Sequence, residues 1–109
     1  MSNEIKYKEY IDYTDPVRII YPITVGPGEY LSCMAAGWND ITLTAVGFEI
    51  EISTGTVGDQ KRLGALDAVW EFFSTLYSTD ADHEALVKVI VNYKPSSGSG
   101  WYTLIHGTS

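Results

Sequence analysis

Cys33, His83 and His106 are the side chains of this sequence best suited to nucleophilic or general-base chemistry, and Asp80, Asp82, His83 and Glu84 are the ones best suited to hold a metal. A catalytic thiol needs a base within reach and a cationic or dipolar setting that favours thiolate. Cys33 sits instead in "LSCMAA", a small and apolar context with no C-x-x-C pair and no protease signature. Free cysteine is among the most frequently buried residue types, so Cys33 is expected to be an inert core residue. The stretch "STDADHEA" at 78–85 offers carboxylates and an imidazole, the ligand types of divalent metals. It lacks the glycine and the distal glutamate of a calcium-binding loop and reads as a solvated acidic turn. No metal and no cofactor are expected. A nucleophile elbow of the form G-x-S-x-G is absent, as are both glycine-rich phosphate-binding motifs. The sequence therefore predicts a protein that is not an enzyme.

A different constellation points to binding. Tyr7, Tyr10, Tyr13, Tyr21 and Tyr30 share the first third of the chain with Glu9, Asp12, Asp15 and Glu29. Aromatic side chains anchor protein interfaces, and carboxylates beside them can pair with a partner's lysines and arginines. The competing reading is that the tyrosines only line half-buried strands, where they are favoured in any case. Both readings stand at this point. The candidate partner-binding residues are Glu9, Tyr10, Asp12, Tyr13 and Asp15, together with Glu49 and Glu51 on a later strand. Asp67 and Glu71 form a third acidic group.

The overall charge agrees with that choice. Fourteen acidic residues against seven basic ones give a formal charge of −7, which repels phosphates and argues against direct nucleic-acid binding. It would speed encounter with a basic protein, and it would equally serve solubility. No apolar run approaches the ~20 residues of a membrane span, and "MSNEIKYKEYIDYTD" has no apolar signal-peptide core. The expected location is the cytoplasm, which suits a single cysteine that cannot form an internal disulfide.

The elements that must position these residues are mostly strands. The 109 residues are of single-domain size, 1–109, without repeats or a long linker. "VRIIYPITV" at 17–25 alternates with Val17, Ile19, Tyr21, Ile23 and Val25 on one face, and Pro22 assigns it to a sheet edge or a bend. "IKYKEYIDY" alternates more weakly, and "VGPGE" turns the chain. "VGFEIEI" places Val46, Phe48, Ile50 and Ile52 inward and Glu49 and Glu51 outward, followed by a turn at Gly55 and a short return strand at Thr56 and Val57. In the stretch after Gly58, Leu63, Leu66, Val69, Trp70, Phe73, Leu76 and Tyr77 recur at helical spacing, which predicts one amphipathic helix over about 60–78. "ALVKVIVNY" reads as a central strand, with Leu86 and Ile90 beside Lys88 and Asn92 on its second face. "WYTLIH" reads as a final strand paired with it across "PSSGSG". The expected fold is α+β: a mostly antiparallel sheet of about five to six strands with the helix packed on one face.

The strand–TG–strand stretch "VGFEIEISTGTV" and the tyrosine–carboxylate segment "YKEYIDYTD", in a small acidic chain, resemble the immunity proteins of bacterial toxin systems, including those of contact-dependent growth inhibition. That resemblance implies a non-enzymatic protein that binds and neutralises a cognate toxin by occluding its active site, often a basic nuclease. Three other readings remain open. One is a phage-encoded inhibitor of a host nucleic-acid-binding protein. Another is a small-molecule binder or minor enzyme with a pocket between helix and sheet. The third is a homodimer formed through the Pro22 edge strand.

Overall fold

The protein was analysed as a computed structural model, which describes residues 2–35, 40–70 and 72–108, with the backbone alone over residues 2–6. The described residues form nine strands: β1 (Ser2–Asp12), β2 (Val17–Val25), β3 (Glu29–Ala35), β4 (Ile41–Glu51), β5 (Thr56–Val57), β6 (Lys61–Asp67), β7 (Ser74–Ser78), β8 (His83–Tyr93) and β9 (Ser99–Thr108). One antiparallel sheet has the order β1-β9-β3-β7. The other has the order β2-β8-β4, and both β5 and β6 pair with the far edge of β4. Residues from both sheets meet in one core that includes Ile11, Leu31, Cys33, Leu43, Val89, Tyr102 and Leu104.

The α+β expectation is overturned, because the described residues contain no helix and nothing helical covers either sheet. Most of the predicted helix 60–78 is instead β6 and β7. Two physical reasons stand out. The free edge of β4 needs hydrogen-bond partners, and β6 supplies them from Thr42↔Asp67 to Gly47↔Lys61. Gly64 lies so close to β7 that a Cβ there would run into the carbonyl oxygen of Leu76, an approach that only glycine permits. The apparent helical stripe then splits. Leu76 and Tyr77 are buried and Leu63 and Leu66 partly so, while Trp70 and Phe73 are exposed. Glu71 lies outside the described residues.

Two strands also turn over relative to expectation. In β2 the register breaks between Ile20 and Ile23, at the cis peptide Tyr21–Pro22. An extra residue in one strand exchanges its faces. Ile20, Ile23 and Val25 enter the core, and Val17, Ile19 and Tyr21 face out. In β4 the strand starts earlier than the "VGFEIEI" pattern suggests, and Ile41, Leu43 and Ala45 set the inward parity. Val46, Phe48 and Ile50 are therefore only half-buried on the outer face, and Ile52 is exposed. β2 does lie at a sheet edge and β8 does lie at a sheet centre. β9, however, pairs with β1 and β3 and not with β8, since β8 is already flanked by β2 and β4. The 94–98 loop crosses from one sheet to the other, and Gly98 takes a φ of 79° there.

Candidate functional site

Cys33 pairs across β3 with Leu104 and Ser74 and is fully buried. Burial pushes its thiol up to about 12, which suppresses the thiolate a nucleophile needs. Neither histidine is hydrogen-bonded to Cys33: His106 Nε2 lies 2.7 Å from Glu29 Oε1, and His83 Nδ1 lies 2.7 Å from Asp80 Oδ1. The hydrogen bond that His83 donates to Asp80 raises the pKa of His83 and lowers that of Asp80. Within "DADHE", Asp80 also accepts from the backbone N–H of Asp82, and Asp82 accepts from the N–H and hydroxyl of Ser53. Asp80 closes the turn on itself, and Asp82 ties it to Ser53 just past the end of β4.

The candidate acidic residues divide into those used for architecture and those presented to water. Glu9 Oε1 accepts from the Tyr102 hydroxyl at 3.0 Å, and its other oxygen is 4.0 Å from Arg18 Nε on β2. Glu49 Oε2 accepts from the Tyr77 hydroxyl at 2.6 Å, and Oε1 is 3.7 Å from Lys61 Nζ. The two arrangements follow one plan. A buried tyrosine of the first sheet meets a carboxylate, which meets a cation of the second sheet. Burial, then the carboxylate bond, raises the pKa of both tyrosines. Glu51 Oε1 accepts from the Thr54 hydroxyl inside the β4–β5 turn.

At the β1–β2 corner, Asp12 Oδ1 takes the N–H and hydroxyl of Thr14 and the N–H of Asp15, and these bonds lower its pKa. Asp15 lies 3.1 Å from Arg18 Nη1. Tyr10 and Tyr13 stand apart from this network, 77% and 52% exposed. Tyr10 pairs across to Trp101, over whose ring the Lys8 ammonium sits at 5.8 Å. The structure thus gathers Asp12, Tyr13 and Asp15 at one corner, with Glu9 and Tyr10 leading into it. It does not bring Glu49 and Glu51 there. Val17 pairs with Asn92 and Ile50 with Glu84, so the two acidic groups lie near opposite ends of β8, about 25 Å apart by strand rise. Asp67 is held by Lys94 and Thr42, which lower its pKa.

A second surface was not foreseen from the sequence. The outer face of the β2-β8-β4 sheet carries a groove of about 540 Å³ lined by Ile19, Tyr21, Val46, Phe48, Leu86 and Lys88 among others. A smaller depression of about 190 Å³ adjoins it through Phe48 and Leu86 and reaches Ile50 and Glu84. Three of these residues, Val46, Phe48 and Ile50, were expected to point inward. The available signal was the second face of "ALVKVIVNY", where Leu86 and Ile90 flank Lys88. The pocket expected between helix and sheet has no helix to form it.

No family model matches the chain, and no curated protein does. Among solved structures, a chain in the structure of infectious bursal disease virus Gx strain is similar at a TM-score of 0.44 and 11% identity. The match covers 96% of this chain and 30% of that one, so this chain spans less than a third of that chain's length. A likeness at this level carries nothing about what the present chain does. Among the described residues no helix is long and apolar enough to cross a membrane.

Proposed function

We propose that this chain is a non-enzymatic binding protein that meets a basic protein partner through the β1–β2 corner. The observation that carries the reading is the exposure of Tyr10 and Tyr13 beside Asp12 and Asp15. Tyrosines that serve packing are hidden, as Tyr77 and Tyr102 are. Aromatic rings left in water next to carboxylates suit an interface in which rings anchor and charges steer. The net charge of −7 supports a cationic partner and disfavours direct nucleic-acid contact.

The specific form of the proposal is an immunity protein acting in the cytoplasm on a basic, nuclease-type toxin by covering its active site. In that role Glu9 and Glu49 hold the two sheets together, and the direct contacts come from Tyr10, Asp12, Tyr13 and Asp15. The test uses the product of the neighbouring reading frame as the candidate toxin. The expected result is a stable complex that abolishes the toxin's activity and whose association rate falls as salt shortens the screening length. Asp12→Lys with Asp15→Lys should slow association, and Tyr10→Ala with Tyr13→Ala should speed dissociation. An association rate indifferent to salt and to both charge reversals rejects the corner as the binding surface.

A further inference from the structure

The groove on the outer face of the β2-β8-β4 sheet is a second candidate site, independent of the corner. Its walls are Ile19 and Tyr21 from β2, Val46 and Phe48 from β4 and Leu86 from β8, and its one charged lining residue is Lys88. Lys88 is half-buried and has no anionic partner among the described residues. The contrast with the other cations is informative. Arg18 is paired with Glu9 and Asp15, Lys61 with Glu49 and Lys94 with Asp67, while Lys8 and Arg62, which also lack a carboxylate partner among the described residues, are exposed. In a chain with twice as many acidic as basic residues, an ammonium set among apolar walls with no carboxylate against it is open to a ligand's anion.

We propose that this groove binds a small amphiphilic monoanion, with its carboxylate on Lys88 Nζ and its alkyl body along Tyr21, Leu86 and Phe48. The direction follows from the ends of the trough. Lys88 and Glu84 are four positions apart on β8, about 13 Å by strand rise, and Glu84 lines the adjoining depression. An anionic head is attracted at Lys88 and repelled at Glu84, so the apolar tail runs toward Ile50. A small ligand suits this surface better than a peptide strand. The main chain of β8, which forms the floor of the groove, is engaged with β4 along its whole length and with β2 from Ala85 to Asn92 apart from the Tyr21–Pro22 bulge, so the floor offers no backbone for strand addition. The volume lies within the range of small-molecule sites.

Isothermal titration of the full chain with dodecanoate below its micellar concentration tests the proposal, with dodecyltrimethylammonium as a probe of equal tail and opposite charge. Dodecanoate should saturate a single site and the cationic probe should bind at least about tenfold more weakly. Lys88→Gln should weaken dodecanoate by about tenfold and remove the discrimination, whereas Lys88→Arg should retain both. Leu86→Asp should abolish binding. Matching far-UV spectra and melting curves establish that each variant is folded. Equal binding of the two amphiphiles, multiple unsaturable uptake, or dodecanoate affinity unchanged by Lys88→Gln overturns the proposal. So does a concentration-dependent dimer that Leu86→Asp dissolves, which would place a second copy on this face. No toxin enters the measurement, so its outcome is separate from that of the corner.

Discussion

The two faces of the β2-β8-β4 sheet are built from nearly the same kinds of residue and meet opposite fates. The inner face carries Ile20, Ile23, Leu43, Ala45, Val87 and Val89, each at most 4% exposed. The outer face carries Ile19, Tyr21, Val46, Phe48, Leu86 and Ile90, which are half-buried or exposed, with Ile19 at 59%. A purely solvated face of an antiparallel sheet is ordinarily polar. Composition alone therefore does not decide burial here; the presence of a second sheet does. An apolar face with nothing laid on it is the kind of surface that marks a binding site.

Substitutions on the inner face should have the largest effect. Ile20→Ala and Leu43→Ala each remove buried methyl groups and leave a cavity, so each should cost about 2–5 kcal/mol of stability. Denaturant unfolding would check this through a lower midpoint at unchanged slope. A cost below about 1 kcal/mol at both positions would break the contrast between the faces.

The tyrosine–carboxylate contacts should come next: Tyr77–Glu49 fastens the first sheet to the second, and Tyr102 holds Glu9 facing Arg18 of the second sheet. Tyr77→Phe and Tyr102→Phe each remove one hydrogen bond to a carboxylate and should cost about 1–3 kcal/mol. They also make a prediction about pH. The pKa of each tyrosine is raised in the folded protein above its ordinary value of 10.0. Above pH 10 the unfolded chain therefore releases phenolic protons that the folded chain retains, and stability falls as pH rises. The contribution is fully present below pH 10. Unfolding midpoints measured across the alkaline range should show this decline in the parent protein and a shallower one in each phenylalanine variant. An identical alkaline slope in all three would mean that neither hydroxyl is held as described.

The sequence made some of this arrangement visible. The turn glycines, the edge position of the Pro22 strand and the burial of Cys33 each follow from one residue's own constraints: a left-handed φ at Gly28 and Gly55, a missing donor, and a small apolar side chain in an apolar context. The unreadable features depend on distant partners. Apart from the β4–β5 hairpin and the step from β5 to β6, each successive strand crosses to the other sheet, so nearness in sequence misidentifies partners, as it does for β8 and β9. The helical stripe at 63–77 was a coincidence of spacing that β4's need for an edge partner overrode. The inversions of β2 and β4 have one cause. Both strands are apolar on both faces, and then a bulge or an unnoticed extra turn of alternation selects the buried side. At the candidate site, the acidic and aromatic residue types were legible. That Glu9 and Glu49 are occupied by tyrosine hydroxyls was not, because Tyr102 is 93 residues from Glu9 and Tyr77 is 28 from Glu49.

The smallest predicted effect sits one residue away from one of the largest. Ile19→Thr changes a side chain that is the same type as Ile20 and belongs to the same strand. Threonine keeps the branched β-carbon, so strand preference is conserved. Ile19 is already 59% exposed against 3% for Ile20, and its hydroxyl replacement would meet water and the Ile90 side of β8 across the register Ile19↔Ile90. The expected change is within about 0.5 kcal/mol, as for surface positions generally. The same denaturant series that reads Ile20→Ala reads this variant. A loss of more than about 1.5 kcal/mol would show that the outer face is packed in solution by something belonging to the chain itself, such as a second copy. Repeating the measurement at several protein concentrations separates these cases, because stability drawn from a second copy grows with concentration and stability drawn within one chain does not.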